Sequence, residues 1–429
     1  MRVLVLGGYG FIGAAVCRAL IARGHAVTGL GRSVAKARAR MSFVRWIEAD
    51  LARLGEPQDW TSLIAGFDAI VNAAGALQDS ARDDVAGVQD KAMQALYRAC
   101  GMQDSPPLIV QVSANTGGAG AQTPFLATKR VADDALKASG LPHVILRPAL
   151  VIGRNAHGGT ALVRALAGFP LITPLLHGAS PVVTVALDDV AACVGDAVDG
   201  VIAPGRDLEL AADERLTLAD CVAAHRAWFG LEKARTPEVP GWMGAAAGRA
   251  ADLAGLFGWR SPMRSTALAV MEGGVEAGAG SRPERRLTTL AETLAAMPAG
   301  AQDLWFARLY LLKPVLILGL SVFWIASGVI ALLGFEASAQ YMGFAGMTDG
   351  LGRGLTLVTS FADITLGLAV LWRPLAARAL KGMVALSLAY LAAASALTPG
   401  LWLDPIGPLV KVLPSVLLAV ATLAILDER

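Results

Sequence analysis

The sequence predicts an α/β fold, a doubly wound parallel sheet, followed by an all-α bundle of four transmembrane helices. Three observations predict it. Short apolar runs alternate with helical spacers through roughly the first 150 residues, a glycine triplet follows the first of those runs, and four long apolar runs occupy residues 312–426. Strands alternating with helices give a parallel sheet covered by helices on both faces. The composition, 55% hydrophobic and 17% charged with a mean hydropathy of +0.53, is too apolar for a chain that meets only water. A net charge of +2 with scattered Lys and Arg offers no basic stripe, which excludes a nucleic-acid partner at this level.

Residues 3–6 form a continuous apolar run ending in glycine, as in a central parallel strand buried on both faces. A helix is predicted over about residues 11–23, and further strands at residues 26–30, 44–48, 69–72, 108–113 and 143–147. Helical spacers include residues 85–100 and 128–138. Between residues 151 and 229 the apolar runs shorten and Pro and Gly interrupt them, as in a lobe that covers a ligand site. The amino terminus runs directly into the first strand, with no charged region, apolar stretch and cleavage site, so the first domain is expected to stay cytosolic.

Gly7, Gly10 and Gly13 form G-x-x-G-x-x-G between the first strand and the first helix. Missing side chains permit a tight turn, admit a pyrophosphate against the backbone and let helix and strand pack closely, while the helix N-terminus faces the phosphate charge. Phe11 and Ile12 belong to the same cradle. The strand before, the helix after and the second strand supply the βαβ context that a dinucleotide site requires. Where an NAD site would offer Asp or Glu to the ribose hydroxyls, the second strand ends in Gly31, Arg32 and Ser33. A guanidinium there suits a 2′-phosphate, so NADP(H) is favoured and NAD(H) is the alternative, with Arg32 then a solvated loop cation.

With the glycine motif, the Ala49-Asp50-Leu51 segment, the Asn72-Ala73-Ala74-Gly75 turn, Ser113 and Arg147-Pro148 resemble the short-chain dehydrogenase/reductase superfamily over roughly residues 1–230. Among its atypical members the chain is most similar to NmrA-like proteins and the Rossmann-type accessory subunit of respiratory complex I. The resemblance implies a Rossmann fold, with Asp50 and Leu51 flanking the adenine, Ala73, Ala74 and Gly75 lining the middle of the cofactor, and Pro148 adjoining it. Active members place a Tyr four residues before a Lys as general acid and base. Here Phe125 stands in the Tyr position, Lys129 follows four residues later, and Ser113 lies twelve residues before Phe125. The resemblance makes Ser113 and Lys129 catalytic-site residues, with Lys129 also on the nicotinamide ribose; otherwise they are a strand-end cap and a solvated lysine. Phenylalanine transfers no proton. Either Thr128 or a water takes over, or the domain binds NADPH for structure, sensing or electron delivery.

The remaining candidates have plainer readings. Cys17, Cys100, Cys193 and Cys221 are far apart in apolar segments and read as reduced core residues. The histidines lack metal-binding spacing, so no metal site is expected. Asp188 and Asp189 precede an apolar run and are expected to cap a helix. Trp228, Trp242 and Trp259 fit either a segment lying on a membrane or packing within the lobe.

Residues 312–334, 354–372, 379–397 and 408–426 are each 19 to 23 residues long and nearly free of charge. They match a hydrocarbon slab about 30 Å thick. Arg282, Arg285, Arg286 and Arg308 precede the first run, and Arg373, Arg378 and Lys381 lie between or just inside the second and third. The opposite side offers mainly Glu336, Asp349, Arg353 and Asp404, so both termini are expected on the cytoplasmic side of the inner membrane. In span number, loop pattern and Gly/Ala richness this tail resembles the DoxX-like family, whose members are linked to quinone and thiol redox chemistry. Asp363, deep in the second run, is costly in lipid and marks a functional or structural polar site, with Lys411 as its expected partner. Thr356, Thr359, Ser360 and Gly367 recur on its helix face and should point into the bundle.

The expected organisation is a Rossmann domain with substrate lobe over residues 1–230, a helical lobe over 231–305, and a membrane domain over 306–429. Residues 273–283, rich in Gly, Ala and Ser, read as a flexible joint. Two functions follow: a membrane-anchored NAD(P)H-binding oxidoreductase acting on a quinone-like or hydrophobic substrate, or a non-catalytic NADPH-binding assembly or sensor subunit of a membrane redox complex. An epimerase on a nucleotide-linked or lipid-linked substrate is a third, handicapped by Phe125.

Overall fold

The computed structural model describes residues 1–75, 84–115, 123–259, 261, 263–275, 278, 280–344 and 346–427. Contacts divide the chain into two units, Met1–Asp252 with Ser261–Ala307, and Leu253–Arg260 with Arg308–Arg429. Residues 231–305 thus fall mainly in the first unit, with 253–260 in the second.

In the first unit, β1 (Arg2–Leu6), β2 (Ala26–Gly31), β3 (Arg45–Glu48), β4 (Ala69–Asn72), β5 (Leu108–Val112) and β6 (His143–Pro148) lie where the apolar runs predict them. With β10 (Arg206–Leu210) they form a seven-stranded parallel sheet in the order β10-β6-β5-β4-β1-β2-β3. Helices α1 (Phe11–Ala22) and α7 (Leu187–Val198) bury Val16, Leu20, Val190 and Val194 with one side chain set of the sheet. Helices α3 (Pro57–Ile64), α4 (Ala92–Gly101) and α5 (Pro124–Ala138) bury Trp60, Met93, Leu96 and Leu136 with the other set. The short α2 (Val34–Arg40) follows β2. Asp188 and Asp189 do not cap α7: its N-cap is Ala186, without a side-chain hydrogen bond, and the two acids lie in the first turn, where their charge suits the positive end of the helix. All four cysteines are buried, and burial pushes each thiol up to about 12.

The lobe is built from strands too short to read from sequence. Strand β7 (Leu150–Ile152) pairs with β9 (Thr184–Ala186), and β8 (Pro181–Val182) with β11 (Leu216–Thr217). Around them lie α6 (Gly159–Ala167), α8 (Leu218–Trp228), α9 (Gly241–Leu256), α10 (Ser265–Glu272) and α11 (Leu290–Ala295). The stretch expected as a flexible joint is tied down where it is described: Val275 bridges Val182, and Ser281 bridges Leu208 of β10. The unpaired edges of β8 and β10 supply backbone partners that composition alone does not reveal.

The second unit holds most of α12 (Ala301–Leu333), with α13 (Phe335–Phe344), α14 (Asp349–Ala369), α15 (Arg373–Leu397) and α16 (Val412–Ala424). Helices α12 and α15 are long and apolar enough to cross a membrane. The fourth apolar run is helical over only 13 residues. Pro405, Pro408 and a left-handed Gly407 (φ +62°) keep the preceding segment in turns, so the helix starts later than expected.

Candidate active site: a dinucleotide cradle with an altered catalytic end

Strand β1 lies between β2 and β4, so the chain order reverses there, and in a doubly wound sheet such a reversal is where ligands bind, beyond the carboxyl ends of the strands. Gly7 has φ +69°, and a Cβ on it would lie 2.9 Å from the Ala74 Cα. The Gly10 N–H donates to the Gly7 carbonyl at 2.8 Å, and a Cβ on Gly13 would overlap that same oxygen. Gly10 caps α1 without a side-chain hydrogen bond, and the first turn, which holds Phe11, Ile12 and Gly13, contains no acid. The leading amides of α1 are therefore left for an anion. Each glycine stands where a side chain would press on neighbouring backbone, so the tight turn that aims these amides at a dinucleotide pyrophosphate requires glycine at all three positions.

At the adenosine end, Asp50 caps the 3-10 turn Leu51–Arg53 by accepting from the Ala52 N–H at 3.3 Å, and Leu51 is buried. Arg32 is exposed, whereas the Ser33 hydroxyl caps α2 by accepting from the Lys36 N–H. Glu48 is missing from the sequence reading. It pairs in register with Gly31 at the end of β2, and its carboxylate accepts from the Val34 N–H at 3.2 Å. Only strand pairing places this acid beside the Arg32 loop.

Across the crevice, Ala73 donates its N–H to Leu6, and Ala74 donates to the Asn72 side chain. The buried Lys129 ammonium donates to the Val112 carbonyl at 2.9 Å and lies 3.6 Å from where a Gly75 Cβ would stand. Burial lowers its pKa to about 8, against the pull of Asp133. Ser113 donates to Asp133 at 2.5 Å, and Asp133 is also ion-paired to Arg147 at 2.8 Å. Burial raises the Asp133 pKa although Arg147 and Ser113 oppose the shift. Arg147 also reaches Asp207 at 2.7 Å, and Pro148 ends β6 beside it. The Thr128 hydroxyl bonds to the Phe125 carbonyl at 3.1 Å and to Gln89 at 3.3 Å. Asp133 was legible in principle: it lies one helical turn after Lys129 and shares its face. His157, which lacks metal-binding spacing, stacks its ring on Phe11 with centroids 5.7 Å apart.

In the second unit, Asp363 accepts from the Ser327 hydroxyl at 3.1 Å and from the Tyr390 hydroxyl at 3.0 Å. Lys411 is not its partner. That lysine is exposed at the N-cap of α16, because the late start of this helix puts it at an end rather than inside a span. Thr356, Ser360, Asp363 and Gly367 are buried along α14 as their spacing predicts.

The fold and the cradle define a nucleotide-binding domain of the oxidoreductase type. Residues 7–199 match the NAD(P)H-binding family, and residues 321–420 match the DoxX-like family. The chain is thus an NAD(P)H-binding Rossmann domain joined to a DoxX-like membrane domain. A 2-alkyl-3-oxoalkanoate reductase of Stenotrophomonas maltophilia is 32% identical over 176 residues, which cover 36% of this chain and 52% of that protein. The chain spans about half the length of this curated relative. A putative epimerase from Burkholderia cenocepacia superimposes with a TM-score of 0.50 at 19% identity, covering 72% of this chain and 98% of the other. Pal from Bacillus thuringiensis gives 0.50 at 16% identity, covering 69% and 97%. These structures share the fold.

Proposed function

We propose that the protein is a membrane-anchored reductase that draws on NADPH and delivers reducing equivalents to an apolar carbonyl or quinone-like acceptor. The observation that carries this reading is the buried Lys129 ammonium, facing the Gly75 turn at the far end of the cradle formed by Gly7, Gly10 and Gly13. NADPH supplies a hydride when bound. Lys129 holds the ribose, and with a pKa near neutrality its amine can also keep or release a proton at Nζ, a task Phe125 cannot perform. Arg32 favours the 2′-phosphate. The name of the Stenotrophomonas relative describes reduction of an oxo group on an alkyl chain, and a membrane domain on the same chain suits a similarly apolar substrate.

The four apolar helices are proposed to cross the membrane with both termini cytoplasmic. On the opposite side the cations are Arg353, held by Glu336 through two contacts of 2.7 Å, and Lys411 at the N-cap of α16, fewer than the Arg and Lys residues that precede the first span and join the second to the third.

A second reading is a non-catalytic NADPH-binding subunit of a membrane redox complex. It is favoured by Phe125 and by a Ser113 hydroxyl already given to Asp133. Purified protein in nanodiscs, given NADPH and a short-chain naphthoquinone or an alkyl 3-oxoacid, decides between them. Acceptor-dependent oxidation of NADPH supports the reductase. Tightly bound dinucleotide that never turns over with either acceptor selects the subunit.

A further inference from the structure

Helix α9 is arranged the opposite way from a helix on a water-facing surface. Gly244, Gly248 and Gly255 are its buried residues, and a Cβ on Gly244 or Gly248 would press on Leu176 or on Leu268. At 3.6 residues per turn the glycines fall on one side, while Trp242, Leu253, Leu256 and Phe257 fall on the other. These four are 73%, 58%, 75% and 44% exposed. Between them lie exposed Ala246, Arg249 and Ala250. The smallest side chains face protein and the largest apolar ones face outward, with one cation in their midst.

We propose that α9 is an interfacial helix whose outward face lies among the headgroups and upper acyl chains of a bilayer carrying anionic lipid. The carboxyl end of the helix fixes the depth. The Arg373 N–H donates to the Phe257 carbonyl at 3.0 Å, and the Trp259 indole donates to the Leu371 carbonyl at 2.6 Å. Leu371 lies in the turn after α14 and Arg373 opens α15, so the segment that follows α9 is pinned where these two helices meet. Lys313 and Arg373 stand over the Trp259 ring, 5.9 and 5.5 Å from its centroid. They supply cations of the kind that anionic headgroups attract, Arg249 adds one on the outward face of the helix itself, and an indole at each end of the segment suits a polar-apolar boundary. Within the second unit, Leu253, Leu256 and Phe257 join a bundle that carries its own exposed apolar residues, Val315, Leu318 and Val322 among them.

This inference rests on the membrane-anchored reading, and one experiment separates the two. The full chain and its Trp242→Phe variant are reconstituted, one copy per nanodisc, in phosphatidylcholine with phosphatidylglycerol, with or without bromine on the upper acyl carbons. The difference in emission between the two proteins isolates Trp242. Bromolipid should quench about half or more of that difference, and aqueous iodide should quench little of it. Strong iodide quenching with no bromolipid effect overturns the inference, as does bromolipid quenching confined to discs holding two copies, which would make the face a contact between chains. An Ala246→Cys variant labelled with bimane gives a second readout and should emit at shorter wavelength in discs than after proteolytic release. Failure of the chain to enter discs at all would instead defeat the anchoring itself.

Discussion

The Ser113 hydroxyl and the Asp133 carboxylate are joined by a 2.5 Å hydrogen bond, and both side chains are buried. In a dehydrogenase of the usual kind the serine would address the substrate. Here it solvates a carboxylate that also carries the ion pair to Arg147. Ser113→Ala removes one donor from a buried charge, at an expected cost of about 1–3 kcal/mol in denaturant unfolding. Dinucleotide affinity should change by less than about threefold, since the hydroxyl proton is already given to Asp133. A variant of undiminished stability that has lost turnover would return Ser113 to the substrate.

The position of Lys129 predicts a pH dependence whose sign is fixed. Burial lowers its pKa to about 8, so the cation that holds the ribose is present below that pH and lost as pH rises through it. If only the ammonium binds, affinity for NADPH should weaken by roughly tenfold between pH 7 and pH 9. Calorimetric titration of Lys129→Met should show weaker binding and a flat profile over that range.

Phe125 lies in the first turn of α5, four residues before Lys129. Replacing it with Tyr adds a phenol one helical turn from the ammonium that would lower its pKa. In the reductase reading, Phe125→Tyr should raise the turnover rate with an oxo substrate by roughly 10²-fold, the usual contribution of a positioned acid. In the subunit reading it should leave turnover at zero. Stopped-flow loss of NADPH absorbance distinguishes the outcomes.

Strands β1, β4, β5 and β6 and the glycine cradle were legible because each of these central strands carries a buried apolar run and the glycines fall at the passage from β1 into α1. What escaped was set by pairing between distant segments. Glu48 looks like a surface acid until β3 aligns it with Gly31. Val275 and Ser281 look like a flexible joint until strand edges offer them partners. By hydropathy alone Lys411 lies inside a span, because hydropathy does not register that Pro405, Gly407 and Pro408 delay the start of α16. The partners of Asp363 are hydroxyls from two other helices, and no local pattern marks Ser327 and Tyr390 as belonging together.

The choice between dinucleotides should be set by a contest between Arg32 and Glu48. The guanidinium attracts a 2′-phosphate, and the carboxylate, held near the same loop by the Val34 N–H, repels it or receives a ribose hydroxyl. Glu48→Gln keeps the acceptor and removes the charge, so the NADPH-to-NADH affinity ratio should rise by roughly tenfold, while Arg32→Gln should lower it by a similar factor. Equal ratios in all three proteins would place the discrimination elsewhere.

Asp363 tests whether the polar centre of the bundle is a joint or a working group. Both of its oxygens are occupied by hydroxyl donors on other helices, so it ties α12 and α15 to α14. Asn keeps one acceptor and turns a donor toward the second hydroxyl, which should cost about 1–2 kcal/mol in thermal or denaturant unfolding. Tyr390→Phe, which deletes one donor and leaves the charge, should cost a similar amount by the same measure. If the group is structural, NADPH oxidation per folded molecule should be unchanged in both variants. If it exchanges protons with the acceptor, Asp363→Asn should abolish oxidation with the quinone while leaving dinucleotide affinity intact, because binding and acceptor reduction would then depend on separate parts of the chain.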